Sequence, residues 1–417
     1  MIHDARTAPE IWGGIECTLN RVGDRHHSQL ASSGHLDRIE SDLDQIASLG
    51  LSALRYPVLW DQVEQPGGLD FAYADRAMSW FRGEAMRPIV GLLHHGSGPL
   101  STSLADPAMP ERFAGFAASV ARRHPWVSDY TPINEPLTTA RFSGLYGHWY
   151  PHALDDRSFV RMLLTQTRAT VLAMRAIRDI NPAARLIQTE DLGRASGTRR
   201  VLEQVEFENA RRWLSFDLLC GSVVPGHHLY DYLTGLGGAE ARELEWFTSN
   251  SCPPDVLGIN HYPRSNRWLD HRVGLYDVST RGGNTTVQYA DVATCDFPFA
   301  ASPTLSSLIE EAWHRYRIPV ALTEVHIHAE SAQRIAWWSH AVAAATESMH
   351  RGADVRAVTT WSLLGSFDWD TLCTSVDDRV TYERGAFDIS SGARLETPLA
   401  AAVRQTTGAV LAARQVA

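Results

Sequence analysis

Lysine is absent from this chain: all 38 of its basic residues are arginines. That removes a lysine Schiff base, and the phosphate-cradling lysine of nucleotide-binding loops, from the available chemistry. Cysteine is sparse. Cys17, Cys220, Cys252, Cys295 and Cys373 are odd in number, scattered and without paired spacing, which argues against a disulfide framework and against a cysteine-ligated metal. No stretch approaches the roughly 18 consecutive apolar residues that a membrane helix needs. Nor is there a basic run. The formal net charge is −10 over 417 residues, so nucleic acid is not an expected partner. The opening residues, MIHDARTAPEIWGG, lack the basic-then-apolar pattern of a secretory leader. The expectation is a cytoplasmic protein that engages neither membrane nor nucleic acid.

What the chain does contain is a regular alternation. Short apolar runs at 11–16, 51–58, 87–95, 126–134, 184–190, 254–262, 318–325 and 355–364 read as strands. Between them lie stretches of helical period at 36–50, 72–86, 110–124, 155–180, 302–317, 331–352 and 395–408, with Ser302 and Pro303 suited to a cap and first turn. The strand runs are continuously apolar, which calls for cover on both faces. Eight such units in series predict a (β/α)₈ TIM barrel, an α/β fold of one domain over 1–417. A doubly wound sheet is the rival, but GGIECTLN (13–20) is not a dinucleotide-binding turn. Residues from about 264 to 301 read as a long loop or hairpin insertion. The 13 tryptophans suit either core packing or a groove with stacking platforms for flat ligands.

The strand ends carry the polar residues. Arg55, His94, His95, Asn134, Glu135, Glu190, Asp191, Asn260, His261, Tyr262 and Glu324 each follow or close an apolar run, and Trp361 lies in the last one. In a barrel these positions surround one mouth. Glu135, in TPINEP, and Glu324, in VALTEVH, then face each other from strands four and seven. Two opposed carboxylates suit cleavage of a glycosidic bond: one protonates the leaving oxygen, and the other attacks the anomeric carbon or activates a water. The acid needs a raised pKa and the nucleophile a lowered one. Arg55 and Tyr262 are placed to hold one carboxylate ionised, and Asn134 to bind a sugar hydroxyl. Pro136 restricts the residue before it. Taken singly, each of these has a plainer role as a cap, an ion-pair partner or a packed ring. His94 with His95, and HIH at 326–328, suggest a metal only weakly, because no HxxxH-type spacing or third ligand accompanies them.

These motifs together resemble glycoside hydrolase family 1, the β-glucosidase family. TPINEP matches that family's Thr-x-Asn-Glu-Pro, TEVH half of its Thr-Glu-Asn-Gly, and LLHHGSGP its LYHWDLP. VLGINHY matches FLGINYY, WSLLGSFDW matches WSLLDNFEW, and ALRYPVLW is similar to RFSISW. The resemblance spans roughly 11 to 388 in the right order. It implies a retaining β-glycosidase, without cofactor or metal, with Glu135 as acid/base and Glu324 as nucleophile. Arg55, Asn134 and Tyr262 become their supports. His95, Asn260, Trp361 as a platform, Asp368 and Trp369 become sugar-binding residues, with a small glycoside or oligosaccharide as the partner. Four departures stand out. Asn20 replaces the sugar-binding Gln, Asp368 a Glu, His94 an aromatic, and Val325–His326 the Asn–Gly after the nucleophile. They point to an altered, for example deoxy, innermost sugar. A transglycosylase and a non-catalytic carbohydrate-binding barrel are the alternatives.

Overall fold

Eight parallel strands close on themselves. They are β1 (Glu10–Gly14), β2 (Ala53–Pro57), β3 (Arg87–His94), β4 (Asp129–Asn134), β5 (Arg185–Asp191), β6 (Val256–His261), β7 (Val320–Val325) and β8 (Val355–Thr360), with β8 hydrogen-bonded back to β1. This is the expected (β/α)₈ barrel. The computed structural model describes residues 8–284, 286–296, 302–374 and 380–416. Every residue of β2, β4, β6 and β7 is buried, which is why their sequences run apolar without alternation.

The interior is packed rather than hollow. Trp12, Ala53, Ile89, Ile187, Val256, Ala321 and Ala357 come from seven different strands and form one buried cluster inside the barrel. Truncating Ile89 to Ala there would cost ~2–5 kcal/mol, the usual range for a core isoleucine. Outside the barrel, helices α1 (Ile39–Ala47), α2 (Ala72–Phe81), α3 (Met109–Arg123), α4 (Asp156–Arg178), α5 (Leu202–Arg211), α6 (Leu305–Tyr316), α7 (Ser331–His350) and α8 (Pro398–Val416) bury their apolar faces in a second, larger core. Helix α4 shows why these segments are helical. Asp155 caps it by accepting from the Ser158 amide at 2.9 Å, and Arg175 and Arg178 meet the negative end of its dipole. None of the described helices is long and apolar enough to cross a membrane.

One expectation needed adjustment. Helix α6 begins later than expected: Thr304, not Ser302, is its cap, because the Thr304 hydroxyl accepts from the Ser307 amide at 3.2 Å. The insertion after β6 contains real sheet. Arg267–Asp270 pairs antiparallel with Gln288–Ala293, flanked by Arg281–Gly283, and Ala195–Gly197 joins as a fourth strand. Residues 285 and 297–301 of that stretch lie outside the described residues.

Strand register sets the level of the site. Gly14 lies beside Arg55, His94 beside Asn134, and Asn260 between Asp191 and Glu324. A register shift between Ile259 and Asn260 brings Asn260 opposite Glu324 instead of the next residue in step.

Candidate active site

Glu324 closes the apolar run of β7 and is almost completely buried. Each of its carboxylate oxygens has its own donor. Arg55, on β2, places Nη1 2.7 Å from Oε1, and the same nitrogen also donates to the Thr323 carbonyl at 2.8 Å. The Tyr262 hydroxyl donates to Oε2. Burial and the nearby carboxylate hold the Tyr262 phenol well above its ordinary range, so it stays a neutral donor. For Glu324 itself, burial pushes the carboxyl up to about 7 against the pull of Arg55 and Tyr262, and Glu16 adds to the push. The expected depression of the nucleophile's pKa is therefore corrected: in so dry a site, desolvation outweighs one guanidinium and one hydroxyl.

Glu135 follows β4 in the left-handed region, at φ 46° and ψ 61°. A residue before proline normally stays extended. Here a long-range bond holds the bend, the Glu135 amide donating to the Thr189 carbonyl at 3.2 Å, while the Glu135 carbonyl accepts the first bond of the following helix from the Thr139 amide at 2.9 Å. His95 (φ 56°) and Asp368 (φ 56°) share this conformation. Strain of ~1–3 kcal/mol at each such residue is typical of functional sites. Among the described residues, no arginine pairs with Glu135. Asn260 Nδ2 donates to Oε1 at 2.6 Å, and His95 Nε2 stands 3.9 Å from Oε2. Burial, Glu324 and Asp191 raise this carboxyl well above the carboxylate range, against only the Asn260 hydrogen bond. The two acids are thus pushed to different extents. Glu324, with a guanidinium, ionises first, and Glu135, without one, keeps its proton.

Asn134 sits between them. Its Oδ1 accepts from Arg55 Nη2 and Thr189 Oγ1, both at 2.7 Å, and its Nδ2 points to His94 Nε2 at 3.2 Å and His95 Nε2 at 3.4 Å. An amide N–H donates, so both ring nitrogens accept, as neutral imidazoles do. Burial and Arg55 push His95 down to about 3, and burial, His95 and Arg55 hold His94 well below its ordinary value. The Asn260 carboxamide is oriented by Thr323 Oγ1 at 2.7 Å, which leaves its N–H for Glu135.

Trp361 follows β8 and lies within the same group: the Arg55 guanidinium carbon is 4.8 Å from its ring centre. Gly14 permits this approach, since a Cβ there would fall 2.4 Å from the indole. His95 packs against Trp369 and Trp149, with ring centres 5.8 and 5.0 Å apart. Asn20 and Asp368 are placed nearby but are engaged by protein. Asn20 Nδ2 donates to the Cys373 carbonyl at 3.0 Å, and Asp368 meets His27 Nε2 at 3.0 Å and the Thr381 amide at 2.8 Å.

Sequence reasoning missed two participants, Glu16 and His27, and gave no role to two it did name, His326 and Glu190. Glu16, closing the first apolar run, places Oε2 3.3 Å from the Trp361 indole nitrogen. His27 holds Asp368. His326, the odd residue of TEVH, bridges the Trp361 carbonyl and the Glu383 carboxylate, each at 3.0 Å. Glu190 accepts from the Leu137 amide at 2.8 Å behind Glu135, and burial pushes it up to about 8. Glu16 and Glu190 carried a signal, an acid closing an apolar run; His27 carried none. Among the described residues, no three His, Cys, Asp or Glu side chains are grouped so as to hold a metal ion.

Comparison with known proteins shows the family and the fold. The family model described as "Glycosyl hydrolase family 1" matches residues 7–375. "Beta-glucosidase 4" of Oryza sativa subsp. japonica is 23% identical over 406 residues, covering 86% of this chain and 82% of that protein. A "Beta-glucosidase" of Agrobacterium sp. is 24% identical over 398 residues, covering 87% and 82%. Among solved structures, "Beta-glucosidase from Thermotoga maritima in complex with deoxynojirimycin" superposes with a TM-score of 0.75 over 98% of both chains, at 15% identity, a likeness of fold.

Proposed function

Because the chain belongs to glycosyl hydrolase family 1, and is therefore a glycoside hydrolase, we propose that it cleaves β-glycosides with retention, using Glu324 as nucleophile and Glu135 as acid/base. The observation that carries this assignment is the unequal treatment of the two acids. Glu324 takes Arg55 on one oxygen and Tyr262 on the other, whereas Glu135 takes only a neutral amide. The first environment opposes an anion less than the second, which favours a protonated acid.

In the first half of the reaction, a Glu324 oxygen attacks the anomeric carbon while Glu135 gives its proton to the departing oxygen. The aglycone leaves as an alcohol. The charge on Glu324 is consumed in the glycosyl-enzyme bond, so Glu135, now ionised, no longer faces an anion. In the second half Glu135 takes a proton from water, the hydroxide oxygen bonds to the anomeric carbon, and Glu324 departs as carboxylate. Two inversions give net retention. Asn134, whose N–H groups point to His94 and His95, would exchange one of those contacts for the sugar's 2-hydroxyl, where contacts strengthen as positive charge develops on the ring. Trp361 would offer a flat surface beneath the ring and His95 and Trp369 would meet its outer hydroxyls, with Asn20 and Asp368 contributing less because protein partners engage them. The relatives' names as β-glucosidases support a pyranose of hexose size as the starting point for a substrate search.

The decisive test is covalent trapping. An activated 2-deoxy-2-fluoro glycoside should inactivate the enzyme and leave its sugar on the peptide carrying Glu324. A label on any other residue, in an enzyme that turns over the parent glycoside, would overturn the assignment.

A further inference from the structure

Glu16 is 4% exposed and lies at the edge of the Trp361 ring. Its hydrogen bonds come from two neutral donors, the Thr18 amide at 2.8 Å and the Trp361 indole at 3.3 Å. Among the described residues no arginine pairs with it. The nearest ring nitrogen, His94 Nε2, stands 3.9 Å away, and His94 is held neutral by burial, His95 and Arg55. Arg55 is committed to Glu324, the Thr323 carbonyl and Asn134. The charges at the mouth therefore do not balance. Burial, Glu324 and Asp191 raise the Glu135 carboxyl well above its ordinary range, Glu324 has Arg55, and Asp368 meets His27 Nε2 at 3.0 Å. Glu16 is left without a cation. Burying a carboxylate among neutral donors alone is expensive, and such groups are normally paired. Glu16 also disfavours the anion of the nucleophile beside it, a burden that a cation near Trp361 would relieve.

We propose that Glu16 selects glycosides whose innermost sugar carries an ammonium group, an aminodeoxy sugar in place of a neutral hexose. This rests on the reading of Glu135 and Glu324 as the catalytic pair. An ammonium on a sugar seated over Trp361 supplies the charge that Glu16 lacks and up to three donors for its oxygens. A hydroxyl supplies one donor and no charge. The occupied state of Asn20 and Asp368 agrees with this, since both are tied to protein partners and offer fewer contacts to neutral outer hydroxyls.

The test uses the full-length enzyme and nitrophenyl β-glucopyranosides in matched sets. Each set carries hydroxyl, azido or amino at the third, fourth or sixth carbon. At one of these positions, kcat/KM for the amino sugar should exceed that of both its azido and hydroxyl counterparts by about tenfold, the effect of one hydrogen bond to a charged group. In Glu16→Gln the amino-to-azido ratio at that position should fall towards one. Hydroxyl or azido sugars cleaved as well as the amino sugar at all three positions would overturn the proposal, and so would an unchanged ratio in the variant. If Glu16→Gln does not fold, the amino-to-azido ratio of the wild-type enzyme decides alone. Failure to cleave any β-glycoside would instead remove the catalytic assignment, and this proposal with it.

Discussion

Replacing Tyr262 with Phe removes one hydroxyl and leaves the ring in place. That hydroxyl donates to Glu324 Oε2, while Arg55 holds the other oxygen at 2.7 Å. A hydrogen bond to a charged group is worth ~1.5–3 kcal/mol, and ~1.4 kcal/mol corresponds to one pKa unit. Losing it should raise Glu324 by ~1–2 units, from about 7 to ~8–9. The nucleophile must be ionised to attack. Activity therefore falls as the pH drops through the Glu324 pKa, and Tyr262→Phe should move that acid limb upward. At pH 7 the ionised fraction would drop from about one half to ~1–10%, a loss of ~5- to 50-fold in kcat/KM from ionisation alone. The assay is kcat/KM against pH, from pH 5 to 10, on a nitrophenyl glycoside whose good leaving group makes little demand on Glu135. Part of the loss should be recovered at high pH. A variant slowed equally at every pH, with its acid limb unmoved, would refute the view that Tyr262 tunes Glu324.

Three further outcomes are expected. Glu135→Gln should slow alkyl glycosides by ~100-fold or more, the scale of general acid catalysis, and dinitrophenyl glycosides far less; equal slowing would deny Glu135 its acid role. Glu190 is held up to about 8 by burial, so the folded protein keeps a proton that the unfolded chain gives up near 4.5. Wild-type stability should then decline as pH rises from about 5 to 8, by an amount up to ~5 kcal/mol, and Glu190→Gln should flatten that decline in urea titrations; parallel curves would contradict it. His326→Gly removes two hydrogen bonds that steady Trp361 and Glu383, worth ~1 kcal/mol each. It should raise KM more than it lowers kcat, with Glu383→Gln giving the same pattern. A pure kcat loss would mean that His326 acts on the chemistry itself.

The barrel could be read from the chain because its strands are buried on both faces and so spell continuous apolar runs, each closed by a polar residue. Arg55, Asn134, Asn260, Tyr262 and Glu324 were legible for that reason. The backbone at Glu135 was not. Pro136 argues for an extended predecessor, and only the long-range bond to the Thr189 carbonyl accounts for the left-handed bend. The level of the Glu324 pKa was also illegible, because it depends on how dry the mouth is, which no motif encodes. Glu16 shows a third kind of limit. Its partner Trp361 lies 345 residues away, so the carboxylate looks like an ordinary strand-end acid until the barrel closes.

The departures from the family's motifs are not scattered through the site. Arg55, Asn134, Glu135, Asn260, Tyr262, Thr323 and Glu324 form one hydrogen-bonded network, and there the motifs match. Asn20, His94, His326 and Asp368 depart; of these only His94 touches the network, as an acceptor for Asn134. His94 stacks on Trp361 with ring centres 5.6 Å apart, His326 holds its carbonyl, and Asn20 and Asp368 are tied to Cys373 and His27. Damage to the catalytic power of a decaying enzyme would fall on both halves alike. On the proposed assignment, changes at these positions would bear on which ring fits rather than on bond breaking. The half-matched TEVH belongs to that second half: Glu324 keeps both of its donors, and the foreign His326 turns away from it towards Trp361 and Glu383.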